Sequence, residues 1–259
     1  MSAKARGVAL WRSLQRWRGV ALVAASLVAT IWLALTNQLV LYIHPRYIVF
    51  TVIMAGIALV LVVAGVLARH RQDDDDETPP ARLPRALSFV ALAIAAVMAA
   101  AMVALPPATL TSATADQRAI NSTSIGAEAQ NAAKVASAPV GAFAKFTVVD
   151  WASLLRQTNR LDFYKGKPVD VVGFITADKG DPDNVFYVSR FVITCCAVDA
   201  QPAGIPVHYP NWKSTFAIDH WVEAVGGFAA NSSTTSTQAI ALIPTSVKQV
   251  EQPSEPYLY

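Results

Sequence analysis

The runs GVALVAASLVATIWLAL (Gly19–Leu35), YIVFTVIMAGIALVLVVAGVL (Tyr47–Leu67) and ALSFVALAIAAVMAAAMVAL (Ala86–Leu105) contain no charged side chain. Each is close to the ~20 apolar residues with which an α-helix crosses a hydrocarbon core about 30 Å thick. Three such runs so close together argue against buried core helices. The expectation is a membrane-embedded region over residues 1–105, with transmembrane helices at about 19–35, 47–67 and 86–105. The first run follows a basic stretch, as a signal peptide does. Its apolar part is long, however, and no A-x-A-like site follows, so it reads as a retained helix.

Basic residues at the span ends set the orientation. Lys4, Arg6, Arg12, Arg16 and Arg18 precede the first run. Arg69, Arg71, Arg82 and Arg85 lie between the second and third, and only Arg46 lies between the first and second. The N-terminus is therefore expected in the cytoplasm, and three crossings export everything after residue 105. Trp11, Trp17 and Trp32 stand near span ends, where interfacial aromatics belong. Between the first two runs, Tyr42-Ile43-His44-Pro45-Arg46-Tyr47 forms a turn that Pro45 forces out of the α region. It reads either as a hairpin connection or as a place where His44 and Arg46 meet a partner or an ion.

Composition agrees with this division. Of 259 residues, 54% are hydrophobic and 15% charged, against roughly 25% charged in soluble domains, and the mean hydropathy is +0.38. The net charge of +3 is unevenly spread. Residues 1–105 hold ten basic and five acidic side chains, and residues 106–259 hold eleven and thirteen. The positive charge thus belongs to membrane topology. With no basic stripe interleaved with aromatics, a nucleic-acid partner is excluded.

Residues 106–145 open with Pro106-Pro107 and are rich in Ala, Ser, Thr, Asn and Gln without periodicity, which predicts a flexible tether. Residues 146–259 then read as a β domain. TVVDWASLLRQTNR (147–160) predicts one short helix with Asp150 as N-cap and Trp151, Leu154 and Leu155 on one face. Strands are expected at Lys167–Thr176, Val185–Thr194, Ile205–Tyr209 and Asp219–Phe228, with one or two more at Gln238–Ile243 and Val247–Val250. Gly173 and Gly226-Gly227 permit the bends that closure of a small barrel needs. The expected fold class is thus three membrane helices followed by an OB-like β-barrel with one helix.

The chain has two cysteines, Cys195 and Cys196, side by side. Three readings stand together: buried structural thiols, a disulfide in an oxidising compartment, or metal ligands with Asp199 and His208 or His220. Adjacent strand residues face opposite ways, so two thiols share one ion only where the strand ends or bulges. Zinc sites commonly separate their cysteines by two residues or more, and this pair departs from that spacing. The candidate metal set is Cys195, Cys196, Asp199 and His208, for zinc or another divalent ion; no further cofactor is indicated. Asp178, Asp181 and Asp183 read as a solvated turn rather than a calcium loop. Arg190 and Asp199 read as a salt bridge ordering the turn. No phosphate loop, nucleophile elbow or H-E-x-x-H helix is present, and no enzyme is expected.

The outer domain does carry a resemblance. Tyr164-Lys165-Gly166-Lys167-Pro168-Val169, Val172-Gly173-Phe174, Ser189-Arg190-Phe191-Val192-Ile193, Cys195-Cys196-Ala197-Val198-Asp199-Ala200 and Trp221-Val222-Glu223 resemble the YcgQ-like family of bacterial two-component membrane permease subunits, a family of unknown function. The Tyr42–Tyr47 turn and the final Pro256-Tyr257-Leu258-Tyr259 resemble it too. The resemblance implies a polytopic permease as partner, in the lipid membrane, and supplies no substrate. The expected function is that of an accessory subunit of a bacterial membrane permease complex, with a metal ion as one candidate cargo, whose extracytoplasmic β domain docks on or gates the partner. The alternative is a membrane-anchored ligand-binding or redox-sensing module using the cysteine pair.

Overall fold

A computed structural model describes residues 19–20, 22–69, 109–122, 131–135 and 138–259. The chain divides into two compact units, Met1–Ala108 and Thr109–Tyr259.

The first unit contains an apolar helix α1 (Leu22–Leu35) and a longer one, α2 (Pro45–Arg69). Within α2, Pro45–Gly65 is the one stretch among the described residues that is long and apolar enough to cross a membrane. Val49, Phe50, Ile53, Ile57 and Val60 point outward from it, as lipid-facing side chains do. The described part of the expected first span is helical over Leu22–Leu35, and the expected third span lies outside the described residues.

Pro45 is the first residue of α2, the helical position where its missing N–H costs nothing. A short 3₁₀ turn, Leu39–Leu41, precedes it. The imidazole of His44 is buried in its own loop. Its Nδ1 accepts the Arg46 amide at 3.1 Å, its Nε2 lies 3.3 Å from the Arg46 guanidinium, and its ring meets Tyr47 edge-on. The two residues singled out in this turn thus serve each other.

The second unit is mostly β. Its strands are β1 (Val169–Ala177), β2 (Val185–Val192), β3 (Gln201–His208), β4 (Trp221–Ala230), β5 (Ile240–Gln249) and the two-residue β6 (Tyr257–Leu258). They form one six-stranded sheet ordered β1-β4-β5-β3-β2-β6, and β1 also pairs with β2. The first five strands therefore hydrogen-bond round a closed cycle. The pairs are antiparallel except β3–β5, which meet at Val207 and Leu242, and β2–β6.

Two glycines make the bends possible. A Cβ on Gly173 would meet the Ser189 carbonyl oxygen at 2.5 Å, where β1 is paired with both β2 and β4. A Cβ on Gly226 would meet Ile243 O at 2.3 Å, beside the bulge at Val225/Gly226. Gly227 has open space around it and supplies no such clearance. The bulge also lets Pro244 sit inside β5, so what reads in sequence as two strands is one.

Helix α4 (Val148–Gln157) packs on β1, β2 and β3, after the short helix α3 (Ser112–Asp116). Thr147, not Asp150, is its N-cap. Asp150 sits at the third helical position and completes a reciprocal capping box, its carboxylate accepting the Thr147 amide at 2.8 Å. Trp151 and Leu154 are fully buried, each contributing roughly 1.5–3 kcal/mol. Trp151 packs among Phe143, Phe146 and Phe228, and Phe228 in turn contacts Tyr164.

The expected tether is only partly outside this unit. Residues 109–122 belong to it and are fastened to the sheet. Leu110 N–H donates to Tyr257 Oη at 2.9 Å, and Ser112 gives two hydrogen bonds to the Asp219 carboxylate. The Asn121 side chain bonds both the N–H and the C=O of Gly204 at 2.8 Å. Phe143, at the far end of the same stretch, is a core residue. This attachment runs through side-chain-to-backbone hydrogen bonds, which leave no hydrophobic period in the sequence.

Candidate metal centre

Strand β2 ends at Val192, and its last residues are held on both sides. Arg190–Val192 pair with Ala203–Gln201 of β3, while Phe191–Val192 pair with Tyr257–Leu258 of β6. Ile193 N–H then donates to Leu258 O at 2.9 Å. Beyond that point the chain leaves the sheet, turns through a 3₁₀ segment Ala197–Asp199 and re-enters at Gln201 as β3. Cys195 and Cys196 lie in this turn, so the alternation that would point their side chains apart is broken.

Asp199 closes the turn. Its Oδ1 accepts Thr194 N–H at 3.1 Å, and its Oδ2 accepts Cys195 N–H at 2.7 Å and Cys196 N–H at 3.4 Å. Its own N–H donates to Cys196 O at 2.9 Å. Burial opposes the carboxylate's charge, but the hydrogen bonds from Cys195, Thr194 and Cys196 outweigh it and hold its pKa below the usual range. A carboxylate has about four lone-pair sites; three N–H groups and the Cys195 thiol account for them.

The two thiols are unbonded, with Sγ atoms 3.5 Å apart; Cys195 is exposed and Cys196 half-buried. The Cys195 thiol is pushed up to about 11, first by its hydrogen bond to Cys196 and then by the one to Asp199. It is therefore a protonated thiol at neutral pH and a weak nucleophile, since the thiolate is the reactive form. Both sulfurs and an Asp199 oxygen lie within 4.8 Å of one another. Among the described residues this is the one group of three or more metal-ligating side chains so placed.

His208, the fourth expected ligand, is not part of it. It is the last residue of β3, while the turn joins the first, so about 23 Å of strand separates them. His220 is also elsewhere, its Nδ1 accepting Ala217 N–H at 3.3 Å. The buried-thiol reading does not describe Cys195, which is exposed.

Arg190 makes no bridge to Asp199. Its guanidinium lies over the Trp221 ring at 5.1 Å and donates to Glu255 O at 2.7 Å and Val172 O at 3.3 Å. Burial lowers its pKa, against the pull of Tyr259 and Glu255. Arg118, just after α3, is a contact that sequence reading missed. Its guanidinium donates to Val198 O of the cysteine turn at 3.1 Å. No motif surrounds it that could have revealed this role.

The acidic loop between β1 and β2 is consumed by its own turn. Asp178 accepts the amides of Gly180 and Asp181, Asp181 accepts Asn184 and the Ser233 hydroxyl, and Asp183 pairs with Lys213 at 2.8 Å.

No curated protein and no solved structure matches the chain. Two family models do match: the DUF1980 N-terminal domain over residues 18–121 and the DUF1980 C-terminal domain over residues 142–259. Together they cover most of the sequence, and the chain belongs to the DUF1980 family, which is uncharacterised.

Proposed function

We propose that this protein is an accessory subunit of a bacterial membrane permease complex, anchored by its apolar helices, whose β domain holds a divalent metal ion of the zinc class at Cys195, Cys196 and Asp199. The observation that carries the metal reading is the convergence of two sulfurs and a carboxylate oxygen within 4.8 Å on an exposed turn. With Zn–S bonds of about 2.3 Å, tetrahedral coordination places two sulfurs about 3.8 Å apart, so a 3.5 Å separation needs little adjustment. The permease partner follows from the sequence resemblance to YcgQ-like subunits, and the apolar helix Pro45–Gly65 is consistent with residence in a membrane. We further read the closed cycle of strand pairs as an OB-like barrel and place it outside the cytoplasm, on the distribution of basic residues at the three expected spans. No catalytic role is assigned to the chain.

The test is metal analysis of the full-length protein in mild detergent after zinc loading and gel filtration. Wild type is expected to retain about one ion per chain and Cys195→Ser/Cys196→Ser essentially none. Equal retention by the two would remove the metal reading. A redox-sensing module is the second reading, favoured by two unbonded vicinal thiols. It predicts a reversible change in thiol titre under oxidants that leaves metal content immaterial to the phenotype.

A further inference from the structure

We infer that residues 118–122 form a strap that positions the cysteine turn, so that ion binding at the turn and docking of the strap are one linked equilibrium; the inference rests on the metal reading above. The first argument is how Asp199 is aimed. The peptide unit before it has both polar atoms engaged. Val198 O accepts the Arg118 guanidinium at 3.1 Å, and Asp199 N–H donates to Cys196 O at 2.9 Å. The peptide unit after it is held as well. Asp199 O accepts the Gln201 carboxamide N–H at 3.4 Å, and the oxygen of that carboxamide accepts the Ser122 hydroxyl at 3.3 Å. Arg118 and Ser122 thus fix the backbone on both sides of Asp199, and with it the direction of the carboxylate. Groups that orient a ligand without touching the ion govern metal affinity in this way.

The second argument is that the strap has a built seat. Strand β3 meets β5 at Val207, towards its far end, and the strap lies along its first half. Asn121 N–H donates to Pro202 O at 3.0 Å. The Asn121 carboxamide accepts Gly204 N–H and donates to Gly204 O, both at 2.8 Å. Asn121 has a φ of 59°, the left-handed region that a short, locally bonding side chain tolerates. A Cβ on Gly204 would come within 3.1 Å of Ile120 Cγ2, so the glycine leaves room for the strap.

The third argument is continuity. The same segment also reaches the other arm of the turn, because Leu110 N–H donates to Tyr257 Oη and the next residue, Leu258, accepts Ile193 N–H through its carbonyl. The second unit begins at Thr109, so this segment is also the stretch by which the β domain follows the apolar helices in the chain. Linkage is reciprocal. By whatever factor strap docking raises ion affinity, the ion strengthens strap docking.

The experiment uses the full chain in detergent with zinc as the probe. Zinc affinity is read by competition with a chromophoric chelator in wild type, Arg118→Ala and Arg118→Lys, each shown to be folded by tryptophan fluorescence. Arg118→Ala is expected to weaken binding about tenfold, the low end for groups that orient a ligand. Arg118→Lys keeps a donor for Val198 O and should recover part of the loss. Hydrogen exchange in wild type is the second measurement and needs no variant. Zinc should slow exchange of the Asn121 amide, which donates to Pro202 O, and leave unchanged the Asn231 amide, which donates to Ala239 O in the loop after β4. Equal zinc affinity in wild type and Arg118→Ala would overturn the inference. Exchange at Asn121 that ignores zinc, or that slows no more than at Asn231, would overturn it too. Zinc binding no tighter in wild type than in Cys195→Ser/Cys196→Ser would remove the metal reading and the inference with it, a result distinguished from the others by the absence of binding.

Discussion

Asp199 does two things with one carboxylate, and they separate by substitution. It gathers the amides of Thr194, Cys195 and Cys196, and it lies within ligand reach of both sulfurs. Asp199→Asn keeps an acceptor for the turn but removes the charge; Asp199→Ala removes both. Hydrogen bonds to charged groups contribute about 1.5–3 kcal/mol each when buried, and the half-exposed setting calls for a discount. Asp199→Ala is therefore expected to cost about 1–2 kcal/mol, and Asp199→Asn less. Both should weaken zinc retention at least tenfold. Thermal unfolding followed by tryptophan fluorescence, paired with zinc competition, checks this. Full zinc affinity in Asp199→Asn would reduce the carboxylate to a structural role. The turn was legible in sequence as far as the cysteine pair and the nearby aspartate, because strand end and chemistry coincide there. His208 was misread because a separation of nine residues from Asp199 looks like proximity, whereas the extended strand Gln201–His208 carries the side chain away at about 3.3 Å per residue.

At the scale of elements, the two bends of the sheet respond differently to one methyl group. Gly226→Ala places a Cβ against Ile243 O and Pro244, where β4 and β5 are locked by the bulge. Overpacking of this kind costs about 1–3 kcal/mol or more. Gly227→Ala meets nothing and should be close to neutral. Comparable unfolding temperatures for the two variants would sink this account of the bend. The loops at the other end of the sheet carry a pH signature. Asp181 has its pKa lowered, chiefly by the Ser233 hydroxyl at 2.6 Å and further by Asn184, against a smaller desolvation effect. A folded pKa below the unfolded ~3.9 means the clasp stabilises above pH ~4 and is lost as pH falls through the folded value. Ser233→Ala should therefore flatten the decline of the unfolding temperature below pH 4; an unchanged acid limb would show the clasp to be idle. Sequence located β1, β2 and β4 to within a few residues because β-branched runs flank clear turn residues. It started β3 four residues late, since Pro202 and Gly204 look like turn formers while pairing with Phe191 and Ser189. It placed the helix cap at Asp150 because Thr147 and Asp150 share the box.

For the whole molecule, the number of crossings decides which compartment the cysteine turn meets. Hydropathy reads three spans, one helix among the described residues has the length to cross, and the run Ala86–Leu105 lies outside them. Composition alone cannot distinguish a run that crosses from one that stops at the interface, whereas labelling can. If all three cross with the basic N-terminal tail inside, Cys195 faces the outer compartment. A membrane-impermeant maleimide should then modify the chain in intact cells, slowly at neutral pH because the thiol is pushed up to about 11, and faster as pH rises towards 9. Cys195→Ser/Cys196→Ser supplies the blank, as the chain has no other cysteine. Zinc added beforehand should protect, since a ligated sulfur has no free thiolate to offer. Labelling only after permeabilisation would mean an even number of crossings and a cytoplasmic β domain. The cysteine turn would then face a reducing compartment, and the disulfide reading would fall.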